Sequence, residues 1–323
     1  MNTDQAALTC RESSLASDSR KKHFRVSGPT ACAAASPGAG VQGGGLCPVE
    51  QVSDAQLARY ATVIRERTGI HVSHQKKLLL SNRLRRRLSE TGIASFDAYY
   101  RHLSAIPSHD AEWDKFFQAI TTHETYLFRD DNHWKWFSDV FLRDHVAARR
   151  ASGTTRCLRV WSAACSTGDE AYTIACCVAA NHAFPSPRHV DILGTDIAAG
   201  EIERAKQGLF GPRAMRLVPK EYLRYFEKDE HTGNWAARPI LRRQVRFECH
   251  NLMHRLTAMP FDVVFLKNVL IYFDIESKRR ALSNIAPLVR PGGFLVAGAA
   301  EGVAGATDAF RRVEPWLYQR VVG

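Results

Sequence analysis

No stretch of this 323-residue chain reaches the roughly 18 consecutive apolar residues of a membrane-spanning helix. The polar amino terminus also lacks the apolar core of a secretory signal, so the chain reads as cytoplasmic, with no membrane insertion. The eight cysteines, at 10, 32, 47, 157, 165, 176, 177 and 249, lack zinc-ligand spacing; they read as free thiols in a reducing compartment, and no metal is expected. Residues 1–50 lack hydrophobic periodicity and hold 23 Gly, Ala, Ser or Pro, which predicts a disordered tail. Acidic residues are outnumbered, 33 against 44 Lys and Arg, for a net charge of +11. With 45% apolar content, the rest can build a small domain and a larger one.

The most informative segment is Val160-Trp161-Ser162-Ala163-Ala164-Cys165-Ser166-Thr167-Gly168-Asp169-Glu170-Ala171-Tyr172. Residues 158–161 read as a buried strand, 162–168 as a turn of small residues and 169–180 as a helix. Such a turn grips a nucleotide-sized ligand at the carboxyl end of the strand, or merely connects two elements. Asp169 and Glu170 suit the positive end of the helix but would repel a pyrophosphate, which favours a neutral or cationic adenosine compound such as S-adenosylmethionine. No base accompanies Cys165, so it does not read as a nucleophile.

A second strand over residues 189–197 carries Asp196 at its tip, where a carboxylate can accept from both hydroxyls of a ribose or cap the following helix. Further strands follow at 245–249 and 261–266, each ending in a polar residue, at Asn251-Leu252 and Lys267-Asn268-Val269. A helix over 277–289, a turn at Arg290-Pro291-Gly292-Gly293 and a strand over 294–298 complete an alternating α/β pattern, which argues a mainly parallel sheet covered on both faces.

Upstream, helices are expected over 53–67, 73–90, 96–103, 111–120 and about 132–149, a small all-α domain whose first helix carries a capping box from Ser53 to Gln56. Leu80, Leu84 and Leu88 align on one side of the second helix, while Arg83, Arg85, Arg86 and Arg87 crowd the rest. Between positions 65 and 101 nine Lys or Arg face three acids. Such a face draws an acidic partner, protein or nucleic acid, or is simply solvated.

Residues 121–129, Thr121-Thr122-His123-Glu124-Thr125-Tyr126-Leu127-Phe128-Arg129, closely resemble the signature of the CheR family of chemotaxis receptor methyltransferases. The family's companion motifs follow in order: residues 161–168, Gly194-Thr195-Asp196-Ile197, Asn251-Leu252, Asn268-Val269-Leu270-Ile271-Tyr272-Phe273 and Pro291-Gly292-Gly293. The resemblance covers about residue 52 to the end. It implies a Rossmann-like class I S-adenosylmethionine-dependent methyltransferase sheet over 156–323, an N-terminal helical receptor-docking domain over 51–130, a linking helix over 131–155 and an inserted antiparallel β-subdomain at about 211–246. It also implies methyl transfer from S-adenosylmethionine to glutamates on cytoplasmic helices of methyl-accepting receptors, by a monomer.

Carried over by position, the cofactor contacts are His123, Thr125, Arg129, Glu170, Asp196, Asn251, Leu252, Asn268 and Val269. Arg129 and Tyr272 stand beside the methyl-transfer site, and Arg83, Arg85, Arg86 and Arg87 form the docking face. His123 stands where the family usually has Asn, and Lys267 where it usually has Arg. Taken singly, Arg129 also reads as a surface or salt-bridged arginine, Asn251 and Asn268 as strand terminators and Tyr272 as a core aromatic. Members that bind a receptor-tail tether carry a glycine-rich insertion in the β-subdomain; residues 228–235 hold one glycine, so tether-independent action is expected. Methylation of RNA or another protein, and a non-catalytic cofactor-sensing adaptor, are the rival readings. The strand-end motif at 267–273 differs from the Asn-Pro-Pro-Tyr pattern of enzymes that methylate base amines, so no nucleic acid is expected.

Overall fold

The computed structural model describes residues 51–153, 156–181, 184 and 189–321, so the tail expected over 1–50 lies outside the described residues. Helix α1, Asp54–Thr68, starts from the expected capping box: Gln56 N donates to Ser53 Oγ at 3.1 Å and Ser53 N donates to Gln56 Oε1 at 2.7 Å. Two N–H groups that the first turn leaves open are thereby satisfied. Helix α2, Lys77–Thr91, begins one tight 3-10 turn (His74–Lys76) later than the helix expected from residue 73. Helices α3, Phe96–Ala105, and α4, Ala111–Ile120, are capped by the side chains of Ser95 and Asp110.

Apolar residues three and four apart turn one face of each helix inward, so Tyr60 and Ile64, Leu80 and Leu84, Phe96 and Tyr99, and Trp113 and Phe116 form one buried cluster. Full burial of each aliphatic or Phe side chain contributes about 1.5–3 kcal/mol. Helix α5, Asp131–Lys135, a π-helical turn Trp136–Phe141 and α6, Leu142–Ser152, follow one another where a single helix was expected. Trp134 stacks on Phe265 with centroids 5.2 Å apart and Phe137 meets the same ring edge-on at 5.5 Å, which fastens this helical run to the sheet.

The main sheet contains β1 (Leu158–Ala163), β2 (Val190–Asp196), β6 (Val245–Cys249), β7 (Phe261–Leu266), β8 (Val289–Ala297), β9 (Phe310–Glu314) and β10 (Leu317–Arg320). Its order is β6-β2-β1-β7-β8-β10-β9; the first five are parallel, and the last two are a terminal antiparallel pair. Leu158 and Val160 enter one apolar cluster and Trp161 and Ala163 the other, so both faces are covered. Helices α7, Asp169–Ala180, α8, Ala199–Gln207, and α11, Ile275–Ile285, include the crossover helices. The strand order reverses between β1 and β7, and a ligand crevice opens at the carboxyl ends of strands at such a point.

Between α8 and β6 lies the expected inserted sheet: β3 (Leu209–Phe210), β4 (Phe226–Lys228) and β5 (Trp235–Ala237), antiparallel in the order β3-β5-β4. Around it are two single-turn helices, α9 (Pro212–Met215) and α10 (Pro239–Arg242). Arg290-Pro291-Gly292-Gly293 departs from expectation. The helix before it ends at Ile285, and the four residues interrupt β8 itself, whose pairing jumps from Phe261↔Val289 to Val263↔Phe294. Gly292 takes a φ of 75°, and a Cβ on Gly293 would lie 2.9 Å from the carbonyl oxygens of Arg290 and Asp262, so glycine alone fits this bulge. Among the described residues no helix is long and apolar enough to cross a membrane.

Candidate active site

A cavity lies at the strand reversal, walled by the ends of β1, β2 and β7, the loop over 121–130 and the helical domain. All nine residues expected to contact a cofactor line it, as does Tyr272. The backbone around it is under constraint. Among the described residues the non-glycine residues with positive φ are Phe128 (56°), Asp130 (65°), Ala164 (67°), Ser166 (50°) and Asn268 (59°), in the three segments that frame the cavity. Left-handed conformations of this kind persist only where the surroundings over-determine them.

The small-residue turn is built by close approach. Gly168, with φ 87°, begins α7, and a Cβ on Gly194 would lie 2.6 Å from the Phe247 ring. Asp196 is buried at the tip of β2. Its Oδ2 accepts from Ser166 N at 2.9 Å and its Oδ1 from Ala198 N at 3.0 Å, so the carboxylate braces the turn and starts the next helix at once. Burial pushes this carboxyl above the ordinary range, against the pull of those two N–H groups. Ser166 Oγ is buried without a hydrogen-bond partner among the described residues. On α7, Glu170 accepts from Ser162 Oγ at 2.7 Å and lies 3.6 Å from Lys267 Nζ; burial raises its carboxyl and Lys267 opposes the rise.

The loop over 121–130 forms the facing wall. His123 Nε2 lies 2.5 Å from Thr121 Oγ1, and Thr125 is half-buried on the cavity wall. Arg129 is half-buried and in no ion pair among the described residues: its Nη1 donates to the Glu124 carbonyl at 3.0 Å, and its guanidinium lies 5.6 Å from the Tyr126 ring. Tyr272 is half-buried rather than a core residue, with the Lys76 ammonium 5.4 Å from its ring, and its carbonyl accepts from His71 N at 2.7 Å.

Asn251 is not only a strand terminator. Its Nδ2 donates to the Arg67 carbonyl at 2.6 Å and its Oδ1 accepts from Met253 N at 3.0 Å, joining the end of α1 to the cavity wall. Leu252 is buried against the sheet, and Val269 is packed beside it. Asn268 bends the chain at β7, and its N–H is taken by Glu301. Glu301, buried, also accepts from Ile271 N at 3.0 Å; burial raises its carboxyl while the N–H groups of residues 268–271 pull it down. Glu301 escaped sequence reading because no local spacing connects it to a loop thirty residues earlier.

The four arginines expected as one docking face are separated. Arg87 is 5% exposed and pairs with Glu112 at 2.8 Å inside the helical core, where Tyr99 OH donates to the same carboxylate at 2.6 Å. It cannot meet a partner, because withdrawing it would leave a buried carboxylate uncompensated. Arg83 lines the cavity instead, donating to Thr122 Oγ1 at 2.9 Å and to the Ile120 carbonyl. Arg85 is half-buried and Arg86 exposed, and these two remain for docking.

A parallel sheet of this order, with an acid at the tip of β2 and a constrained turn after β1, defines a Rossmann-like S-adenosylmethionine-dependent methyltransferase. The donor set fits that cofactor: acceptors for hydroxyls at Asp196, an unpartnered hydroxyl at Ser166 and a carboxylate for a positive end at Glu170. Residues 123–317 match the family described as "CheR methyltransferase, SAM binding domain", and residues 55–121 match its all-alpha domain. The chemotaxis protein methyltransferase of Escherichia coli K12 is 35% identical over 77% of this chain and 85% of its own length. Chemotaxis protein methyltransferase 1 of Pseudomonas aeruginosa is 30% identical over 81% of this chain and 95% of its own. The chain belongs to the CheR methyltransferase family, and its cofactor is S-adenosylmethionine. Among the described residues no group of three His, Cys, Asp or Glu is arranged to hold a metal ion.

Proposed function

We propose that this methyltransferase acts on glutamate side chains of methyl-accepting chemoreceptors and leaves glutamyl methyl esters. The observation that carries the reading is a cavity with two kinds of lining: the carboxylates Glu170 and Asp196, and the donors Arg129, Arg83 and Tyr272. The carboxylates suit the ammonium and ribose of the cofactor, the donors a carboxylate acceptor. His123, Thr125, Asn251, Leu252, Asn268 and Val269 complete the cofactor's surroundings.

When bound, the cofactor supplies an electrophilic methyl group on a cationic sulfur. Everything else falls to the protein. A glutamate with a pKa near 4.3 is ionised at neutral pH and needs no general base, so positioning and electrostatics do most of the catalysis. The acceptor loses charge as it meets the sulfonium, so an arginine that gripped it too tightly would favour the ground state. Arg129 spends one N–H on the Glu124 carbonyl and keeps the others to orient the acceptor. Tyr272 is a second donor.

Arg85 and Arg86 on α2, with Lys76 beside Tyr272 at the cavity, favour an acidic helix as the docking partner. Action without a receptor-tail tether is part of the same reading.

The test is transfer of a radiolabelled methyl group to receptor cytoplasmic fragments, with alkali used to release methanol from any ester. Base-labile label on receptor glutamates, lost in Arg129→Ala, is the expected result. Cofactor binding without label on any receptor fragment would overturn it, and label on RNA would move the enzyme to the rival class.

A further inference from the structure

Glu170 and the main chain of Arg129 meet at one buried cation. Lys267 follows β7, and its side chain is 3% exposed. Its Nζ donates to the Arg129 carbonyl at 3.0 Å and lies 3.1 Å from Asp130 Oδ2 and 3.6 Å from Glu170 Oε2. One N–H of the ammonium therefore goes to a main-chain carbonyl, while its charge sits between two carboxylates. We propose that Lys267 is a positioning residue for both ends of the transfer: its charge holds Glu170 as the carboxylate that meets the cofactor's positive end, and its hydrogen bond holds the main chain of Arg129 for the acceptor. This rests on the roles given above to Glu170 and Arg129.

Two observations carry it. Arg129 stands between two left-handed residues, Phe128 and Asp130, and Lys267 shares its carbonyl with Trp134 Nε1, which donates at 2.7 Å. Phe128 N donates to Thr173 Oγ1 at 3.0 Å on one side and the Asp130 carbonyl accepts from His133 N at 3.0 Å on the other. The two donors to the Arg129 carbonyl complete the hold on the strained main chain. Glu170, in turn, is surrounded by groups that do not favour its charge. Asp130 faces it from the loop and Cys165 from the turn, Asp169 precedes it on the same helix with its carboxylate on Thr167 Oγ1, and Ser162 offers a single hydroxyl. Arg129 lies near Asp130, and His133, near both Lys267 and Asp130, is kept neutral by burial. Lys267 is the one ion partner of Glu170 among the described residues. Burial pushes the Glu170 carboxyl up, and the Lys267 charge is the largest influence opposing it.

Charge and hydrogen bond are separable by substitution. Lys267→Gln keeps a donor and loses the charge; Lys267→Arg keeps both; Lys267→Met loses both. Calorimetric titration with S-adenosylhomocysteine should give the wild type and Lys267→Arg nearly constant affinity between pH 7.5 and 6.5. Lys267→Gln should weaken by up to roughly tenfold over that unit as Glu170 takes up a proton. Adding Glu170→Gln should flatten the profile. At pH 8 and saturating cofactor, kcat should be roughly tenfold lower in Lys267→Met than in Lys267→Gln, the difference between losing and keeping the donor to Arg129. A flat affinity profile in Lys267→Gln, or equal kcat in the Gln and Met variants, would overturn the proposal.

Should those variants fail to fold, carbon-13 titration of Glu170 in the unaltered protein, assigned through Glu170→Gln, tests the charge directly. A carboxylate ionised at pH 7 supports it and one mostly protonated at pH 7 overturns it. If Glu170→Gln and Arg129→Ala change neither affinity nor turnover, the underlying reading falls. If both matter while Lys267→Gln keeps a flat profile, only the role of Lys267 falls.

Discussion

Helix α2 and the turn between β1 and α7 were both conspicuous in the sequence, the first for four arginines in five positions and the second for its small residues. The turn does what its residue types require. Gly168 takes φ 87°, Ala164 and Ser166 take positive φ, and Asp196 closes on Ser166 N. The arginines have nothing in common but charge. Arg87 is walled into the core, Arg83 reaches the cavity and Arg85 and Arg86 stay outside. A backbone constraint belongs to the residue that meets it, whereas a charge means what its neighbours make of it.

The widest gap inside that comparison is between Arg87 and Arg86. Arg87→Ala strands Glu112 in the helical core and should cost about 3–5 kcal/mol of stability. Arg86→Ala, whose ion pair with Glu90 is exposed, should stay within about 0.5 kcal/mol. Denaturant unfolding of the two variants measures both, and equal losses would mean that Arg87 is not held as described. In the turn, Asp196→Ala removes a buried acceptor of two N–H groups. It should weaken S-adenosylmethionine binding by about 1–3 kcal/mol, read by calorimetry; unchanged affinity would remove Asp196 from the site.

A pH test sharpens the view of the region behind the cavity. His133 stacks on Trp316 at 4.4 Å, and burial, reinforced by the Lys267 charge, lowers its pKa from 6.5 to about 4. Between those values the unfolded chain binds a proton that the folded chain refuses. This contribution to stability is therefore whole above about pH 6.5 and is lost as the pH falls through about 4. His133→Gln should show a shallower fall in melting temperature across that window than the wild type. The smallest effect is expected at the exposed arginines. Reversing Arg85 and Arg86 to Glu should lower receptor methylation several-fold at low salt and leave cofactor affinity unchanged. Undiminished methylation at low ionic strength would remove that face from docking.

Much of the fold was legible in the chain. Strands 245–249 and 261–266 and helix 169–180 coincide with β6, β7 and α7, because an apolar run between turn residues, or a stripe at helical spacing, is local information. The bulge in β8 was not, since Arg290-Pro291-Gly292-Gly293 chooses between a turn and a bulge only when β7 pairs on both sides of it. Lys267 was noticed as a substitution within a motif; its place between Arg129 and Glu170 was invisible, as was the hold of Glu301 on residues 268–271.

By itself the sequence determined the parallel sheet, the helical domain before it, the chemistry of the turn and the ordered motifs of the family, all of which rest on local conformation and residue type. Tertiary structure alone decided which charges are buried, which carbonyl each donor finds and which arginines line the cavity. The physical reason is that a buried ion is tolerated only with its partner in place, and here those partners come from segments far apart in the chain.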